Sequence, residues 1–200
     1  MSAIKIKDVF SEDELNTFNK IITDIKMKTL DSEEYLSVND SACDIDTTLG
    51  RLSIGDISKY FPNNIKDRLN EIASNFLGST TAFNSAGYAL YSNKYGSPNL
   101  PPHFDGDTND VIINFQLSSN TSWDLGLGLE TYPLEDNSAV VFNGNTNIHW
   151  RPHKTFKYGE YVGMIFFRFY NEEKRTNYSY LPMNQTDNVF KEVVQFRNSL

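Results

Sequence analysis

The chain has three histidines, His103, His149 and His153, all in its second half. His103 stands in Leu100-Pro101-Pro102-His103-Phe104-Asp105-Gly106, two residues before Asp105. In an extended backbone side chains alternate sides, so an i, i+2 pair presents an imidazole and a carboxylate in one direction. Such a pair needs another donor from a distant strand to hold a metal ion. His149 lies 44 residues beyond Asp105, after the apolar run Ala139-Val140-Val141-Phe142, and is placed to supply it. Two imidazoles and one carboxylate on one face of an ion leave positions open for other ligands, as in mononuclear non-haem Fe(II) sites. His153 is the rival third ligand, but it follows His149 by four residues with Pro152 between them. The two are not expected to face one ion together, and His153 is assigned to a loop or a lid. Taken alone, His103-x-Asp105 is also what an ordinary turn at Asp105-Gly106 would give. The downstream histidine and the β-rich surroundings favour the metal.

The elements that position these residues follow from hydrophobic periodicity. From about residue 79 the period is two, and strands are expected at 86–92, 111–117, 127–132, 138–143, 147–151 and 160–170. Many short strands without alternating helices point to an antiparallel sandwich or jelly roll. In strand 111–117, Val111, Ile113, Phe115 and Leu117 share one face and Ile112, Asn114 and Gln116 the other. A barrel with a polar inner cleft would use such a strand, although Asn114 and Gln116 would equally mark a wet barrel face.

The N-terminal third reads as helical. Ser11 and Glu14 form a capping box, with Phe10 set to staple onto Leu15. Leu15, Phe18, Ile21, Ile22 and Ile25 continue as one apolar stripe. A second helix is expected from Pro62, burying Ile65, Leu69, Ile72 and Phe76 and stopping at Gly78. Residues 31–56 are polar, with Gly50 and Gly55 as breakers, and either a short strand or a long loop fits them. A short amphipathic helix with Val189, Val193 and Phe196 is expected over 186–197. The expected organisation is one domain over 1–200. It comprises a mostly helical support region (1–78), a β core (79–170) and a C-terminal extension (171–200).

Composition sets the outer limits. With 200 residues, 39% of them hydrophobic, the chain can bury a sizeable core. The net charge of −8 argues against nucleic-acid partners, which need a surplus of Lys and Arg. No apolar run reaches the roughly 20 residues that span a bilayer, and the first residues lack a signal-peptide apolar region. Cys43 is the single cysteine, which excludes an internal disulfide and a thiolate cage and suggests a reducing, cytoplasmic setting.

Over residues 85–170 the sequence resembles the 2-oxoglutarate- and Fe(II)-dependent dioxygenases, specifically their prolyl-4-hydroxylase-like branch. The resemblance runs from Tyr91-Ser92-Asn93-Lys94-Tyr95-Gly96 through Pro102-His103-Phe104-Asp105-Gly106 and Gly126-Leu127-Gly128-Leu129-Glu130. It continues in Asn137-Ser138-Ala139-Val140-Val141-Phe142, Ile148-His149-Trp150-Arg151-Pro152 and Gly159-Glu160-Tyr161. It implies a mainly β fold with flanking helices, an α+β chain around a double-stranded β-helix (jelly-roll, cupin-like) core. It implies His103, Asp105 and His149 as Fe(II) ligands, 2-oxoglutarate chelating the metal, and O2 as co-substrate. The implied reaction hydroxylates a C–H bond with release of succinate and CO2. A peptidyl side chain such as proline is the implied substrate, and a small molecule stays open.

One departure bears on the co-substrate. The family usually sets Lys or Arg just after the glycine that precedes the last core strand, to pair with the distal carboxylate. Here that position is Tyr161, which brings no positive charge. Arg168, Arg151 and Lys157 are the possible replacements. Arginine binds a carboxylate bidentately, which favours the first two. Arg168 is the first choice, because strand 160–170 is otherwise apolar and a charge there needs a reason. Tyr91 and Tyr95 match the region where the family often places a tyrosine hydroxyl on the co-substrate. Trp123 and Trp150 shape a pocket or fill core. The competing readings are a non-catalytic metal- or ligand-binding domain, and a cupin-like metalloenzyme that uses no 2-oxoglutarate.

Overall fold

The structure is a computed structural model that describes residues 3–30, 43–106, 109–174 and 188–200. Ten strands and three helices account for most of it: β1 (Ala3–Lys7), α1 (Glu12–Leu30), β2 (Cys43–Asp46), β3 (Arg51–Ile54), α2 (Asn63–Leu77), β4 (Thr81–Ser92), β5 (Val111–Ser119), β6 (Leu125–Leu127), β7 (Glu130–Tyr132), β8 (Ser138–Phe142), β9 (His149–Trp150), β10 (Tyr161–Asn171) and α3 (Asn188–Ser199). No helix among the described residues is long and apolar enough to cross a membrane.

The helices begin and end on local chemistry. The Ser11 backbone N–H donates to the Glu14 carboxylate at 2.8 Å, and the Glu14 N–H donates back to the Ser11 hydroxyl at 3.4 Å, which closes the capping box ahead of α1. Pro62 precedes α2, and Gly78 ends it in the left-handed conformation at φ 74°. The apolar faces of both helices lie on one side of a seven-stranded antiparallel sheet of order β1-β8-β5-β10-β4-β3-β2. There Phe18, Ile22, Ile65 and Leu69 pack with Ile113, Phe115, Ile165 and Phe167. A three-stranded sheet, β7-β6-β9, covers part of the other side. Its Leu125 and Leu127 join Trp123 in a second core against Tyr91, Ile112, Val140, Val162 and Met164. The two sheets form the jelly-roll, double-stranded β-helix core expected from the sequence.

Register decides which side chains face inward. Across the large sheet Arg168 pairs with Ser85 and Ile112, Phe166 with Gly87 and Asn114, and Met164 with Ala89 and Gln116. Next to these, Val162 pairs with Tyr91, and Tyr91 with Arg51. Register shifts at Gly163/Met164 against β5 and at Arg168/Phe169 against β4 keep this set on the inner side, as bulges do.

Several sequence expectations change. The run 127–132 is two strands, because Gly128 at φ 56° turns the chain between β6 and β7. β4 begins at Thr81 rather than 86, and β1, whose Ile4-Lys5-Ile6-Lys7 alternation was not among the expected strands, zips onto β8. The stretch 43–54 is a hairpin, β2 with β3, while 31–42 lie outside the described residues. Phe10 stands edge-on to Phe18 with ring centroids 4.7 Å apart. In α3, whose expected residues 186–187 lie outside the described ones, Val193 is buried but Val189 is 55% exposed. Arg197 is buried in its stead, donating from Nε to the Arg151 carbonyl at 2.7 Å. α3 thereby clamps the end of β9.

Close packing beside β9 gives a first expected result. A Cβ on Gly126 would lie 2.2 Å from the indole of Trp150. Gly126→Ala should therefore cost about 1–3 kcal/mol through overpacking. The check is a lower denaturant midpoint at an unchanged slope.

Candidate metal centre and inner cleft

The segment from Leu100 to His103 runs beside β9, and the Arg151 N–H donates to the Leu100 carbonyl at 3.0 Å. His103 and His149 form an isolated antiparallel bridge, with backbone N–H···O bonds of 3.0 and 2.9 Å in the two directions. The Asp105 N–H donates to the Gly144 carbonyl at 2.9 Å, which fixes the next turn. The pairing brings the two imidazoles together, ring centroids 4.0 Å apart, and the i, i+2 spacing aims Asp105 at both. His103 Nε2 lies 3.9 Å and His149 Nε2 3.7 Å from Asp105 Oδ1. One donor atom from each of the three residues lies within 4.8 Å of the others.

The other ring nitrogens are tied back. His103 Nδ1 lies 2.8 Å from the Pro101 carbonyl and His149 Nδ1 3.2 Å from the Asn147 carbonyl. Each carbonyl accepts the Nδ1–H, so each Nε2 turns its lone pair toward Asp105, the outer-sphere arrangement that orients histidine ligands. Neutral imidazoles and an anionic carboxylate are the donors a divalent transition metal takes, and the three fit such an ion. The site is walled on one side by the Phe142 ring, 5.0 Å from His149. His149 is buried, whereas His103 and Asp105 keep partial exposure that would admit further ligands.

Burial pushes the His149 pKa down to about 4. The neighbouring His103 and Arg168 lower it further, while Asp105 and the Asn147 carbonyl oppose the shift. In metal-free protein the unfolded chain then takes up a proton near the ordinary histidine value of 6.5, which folded His149 refuses until about pH 4. The stability this group contributes is complete above 6.5 and is lost as pH falls toward 4. Denaturation with chelator present should show stability rising with pH across this window, and His149→Gln should flatten the rise.

The structure parts the two candidate arginines. Arg151 projects into the barrel two residues beyond His149 and is 1% exposed. Its guanidinium donates to the Trp123 carbonyl and, at 3.4 Å, to Met164 Sδ, and it lies 5.0 Å from the Trp123 ring centroid. No carboxylate of the described residues is within ion-pair distance. Burial lowers its pKa to about 10, against the support of Tyr91 and Asp124. Arg168 instead faces an open cleft at the metal-side end of β10, beside Ile112.

Other expectations separate in the same way. Tyr91 is fully buried inside the barrel, edge-on to Trp123 at 5.0 Å, while Tyr95 packs on the helix side of the sheet. Tyr161 cannot serve the cleft: strand alternation turns Val162 inward beside Tyr91 and Tyr161 away. Lys157 is exposed in the loop before β10. His153 lies outside the cluster, with Nε2 3.2 Å from Asn198 Oδ1. Trp150 points away from the barrel, into a small core with Val193 and Phe196 under α3. Asn114 and Gln116 are buried on the inner face, and neither Asn114 Oδ1 nor Gln116 Oε1 has a hydrogen-bond partner among the described residues. Arg51, which the sequence reading passed over, donates to the Tyr91 hydroxyl at 3.1 Å. Its signal was the alternation Arg51-Leu52-Ser53-Ile54, a half-buried strand inside a stretch that composition alone left open.

No family model matches the sequence, and no curated protein matches it either. Solved structures match over most of the chain. AviO1 from Streptomyces viridochromogenes superposes with a TM-score of 0.63 at 12% identity, over 86% of this chain and 90% of its own. A prolyl hydroxylase from Trichoplax adhaerens, in complex with a hypoxia-inducible-factor peptide, gives 0.59 at 12% identity, over 90% and 88%. HygX from Streptomyces hygroscopicus, with nickel and 2-oxoglutarate bound, gives 0.57 at 11% identity, over 86% and 83%. The chain shares the fold of 2-oxoglutarate-dependent oxygenases.

Proposed function

We propose that this protein is an Fe(II)- and 2-oxoglutarate-dependent oxygenase that hydroxylates a substrate C–H bond. The observation that carries the reading is the His103–Asp105–His149 cluster, with a fully buried guanidinium two residues beyond it that pairs with no described carboxylate. When bound, the metal and 2-oxoglutarate together would supply O2 activation, with succinate and CO2 as the co-substrate's products.

The chain's own residues then have defined tasks. His103, Asp105 and His149 would hold the metal by three adjacent positions and leave the rest open. Arg151, rather than Arg168, would receive the distal carboxylate of 2-oxoglutarate. The buried guanidinium has no carboxylate within ion-pair distance among the described residues, Asp124 acting only from farther away, and a bidentate carboxylate would supply both charge and acceptors. Trp123 and Phe156, edge-on to each other at 5.2 Å, would keep water from that end. Asn114 offers a buried oxygen on the same inner face. The substrate would be a peptidyl side chain such as proline, or a small molecule, in a cytoplasmic setting that the single buried Cys43 suits.

The second reading, a metal domain without 2-oxoglutarate, draws on Tyr161 and Val162, which leave no cation at the start of β10. Anaerobic titration of Fe(II)-loaded protein with 2-oxoglutarate separates the two. A saturable visible charge-transfer band, and succinate formation in air, is the expected result. Bound Fe(II) with no band would favour the second reading.

A further inference from the structure

A cleft of about 230 Å³ opens on the inner side of β3, β4 and β10, where the small sheet does not reach. Its floor is Gly87 and Ala89, Phe166 forms a wall, and Arg168 and Arg51 both line it. Arg168 lies at the metal end: it pairs with Ile112, which pairs with Phe142, the ring against His149. It makes no ion pair with any described carboxylate, and its guanidinium stands over the Phe166 ring, 6.0 Å from the centroid. Gly87 leaves it room, because a Cβ there would stand 3.3 Å from the Arg168 guanidinium. Toward the other end, Arg51 Nε and Ser53 Oγ are buried without hydrogen-bond partners among the described residues. One carboxylate, Asp56, also lines the cleft, and it accepts from the backbone N–H groups of Ser58 and Ala86 and from the Ser58 hydroxyl; Asp46, close to Arg51, is engaged by the N–H groups of Thr48 and Leu49.

Two guanidiniums against one carboxylate that the backbone already engages, with Arg168 lacking a polar partner among the described residues, leave the cleft a local receptor for negative charge in a chain of net charge −8. The apolar floor and the Phe166 ring call for an organic body rather than an inorganic ion. We infer that this cleft binds the substrate, and that the substrate is an organic anion whose acidic group is held by Arg168 with Arg51 in support. The inference rests on the oxygenase reading for the word substrate, and on the cleft alone for the anion. Carboxylates and phosphate monoesters share the chemistry that arginine recognises.

The test uses Zn(II)-loaded protein, inert to O2, with and without 2-oxoglutarate. Three probes of similar shape are titrated by ligand-observed NMR: phenylacetate, phenyl phosphate and the neutral phenylacetamide. Saturable binding of at least one anion is expected, with phenylacetamide weaker by roughly tenfold or more, as a charge-assisted hydrogen bond requires. Whichever anion binds more tightly identifies the acidic group. Arg168→Gln should weaken the anion by a similar factor, Arg168→Lys should retain much of it, and Arg51→Gln should have the smaller effect. Calorimetry of 2-oxoglutarate on the same samples should be unchanged by Arg168→Gln, which also shows that the variant is folded. Equal binding of phenylacetamide, no binding of either anion, or no effect of Arg168→Gln overturns the inference. So does competition between the anion and 2-oxoglutarate with both lost in Arg168→Gln, which would make the cleft the co-substrate's own. If wild-type protein binds no 2-oxoglutarate, the oxygenase reading fails while the anion titration still reports on the cleft.

Discussion

Alanine at His103, Asp105 or His149 is expected to abolish stoichiometric Fe(II) binding, while His153→Ala leaves it intact. Each of the three donors is oriented by backbone: His103 and His149 through their mutual bridge and their Nδ1–carbonyl contacts, Asp105 through its N–H to Gly144. Removing one leaves two ligands on an open face, and the one other histidine, His153, stands outside the cluster. His153 instead belongs to the surface knot with Asn198 and Arg197, so its loss disturbs only the docking of α3. The measurement is anaerobic Fe(II) titration with metal analysis after desalting. Metal lost in His153→Ala but kept in His149→Ala would refute the assignment. A folded control is available in His149→Gln, whose stability should lack the pH dependence described above.

The second large effect concerns Arg151. Arg151→Met should weaken 2-oxoglutarate by roughly 2–5 kcal/mol, the usual loss when one side of a buried charge pair is truncated. Fe(II) binding should persist. The same substitution should leave the metal-free protein as stable as wild type or more stable. In the apo-protein the guanidinium is desolvated without an ion-paired carboxylate among the described residues, and a methionine of similar length beside Met164 and Trp123 removes that cost. A residue that impairs co-substrate binding while its removal does not destabilise the fold is the signature of a site held ready for a ligand. If Arg168→Met removes the charge-transfer band and Arg151→Met does not, the anchor is Arg168, the sequence's first choice.

The two arginines illustrate where sequence reading stops. Arg151 and Arg168 both lie on expected strands, and the apolar run that made Arg168 the first choice does not say which of the two is covered. What separates them is that the small sheet covers one and not the other. That depends on pairings such as β6 with β9, 22 or more residues apart, which no local pattern encodes.

What the sequence determined by itself is local. The capping box at Ser11, the stop at Gly78, the alternation along 111–117 and the His103-x-Asp105 spacing each follow from chemistry within a few residues. The jelly-roll class follows from many short strands in series. The tertiary structure decided whatever depends on distant backbone. It split 127–132 at Gly128, zipped β1 onto β8, turned Tyr161 outward, and set Arg51 beside Tyr91. It also brought His149 within reach of residues more than 40 positions earlier. The physical reason is common to all of these. Hydrogen bonds between strands specify partners only once register is fixed, and here register is fixed by bulges and by packing between sheets.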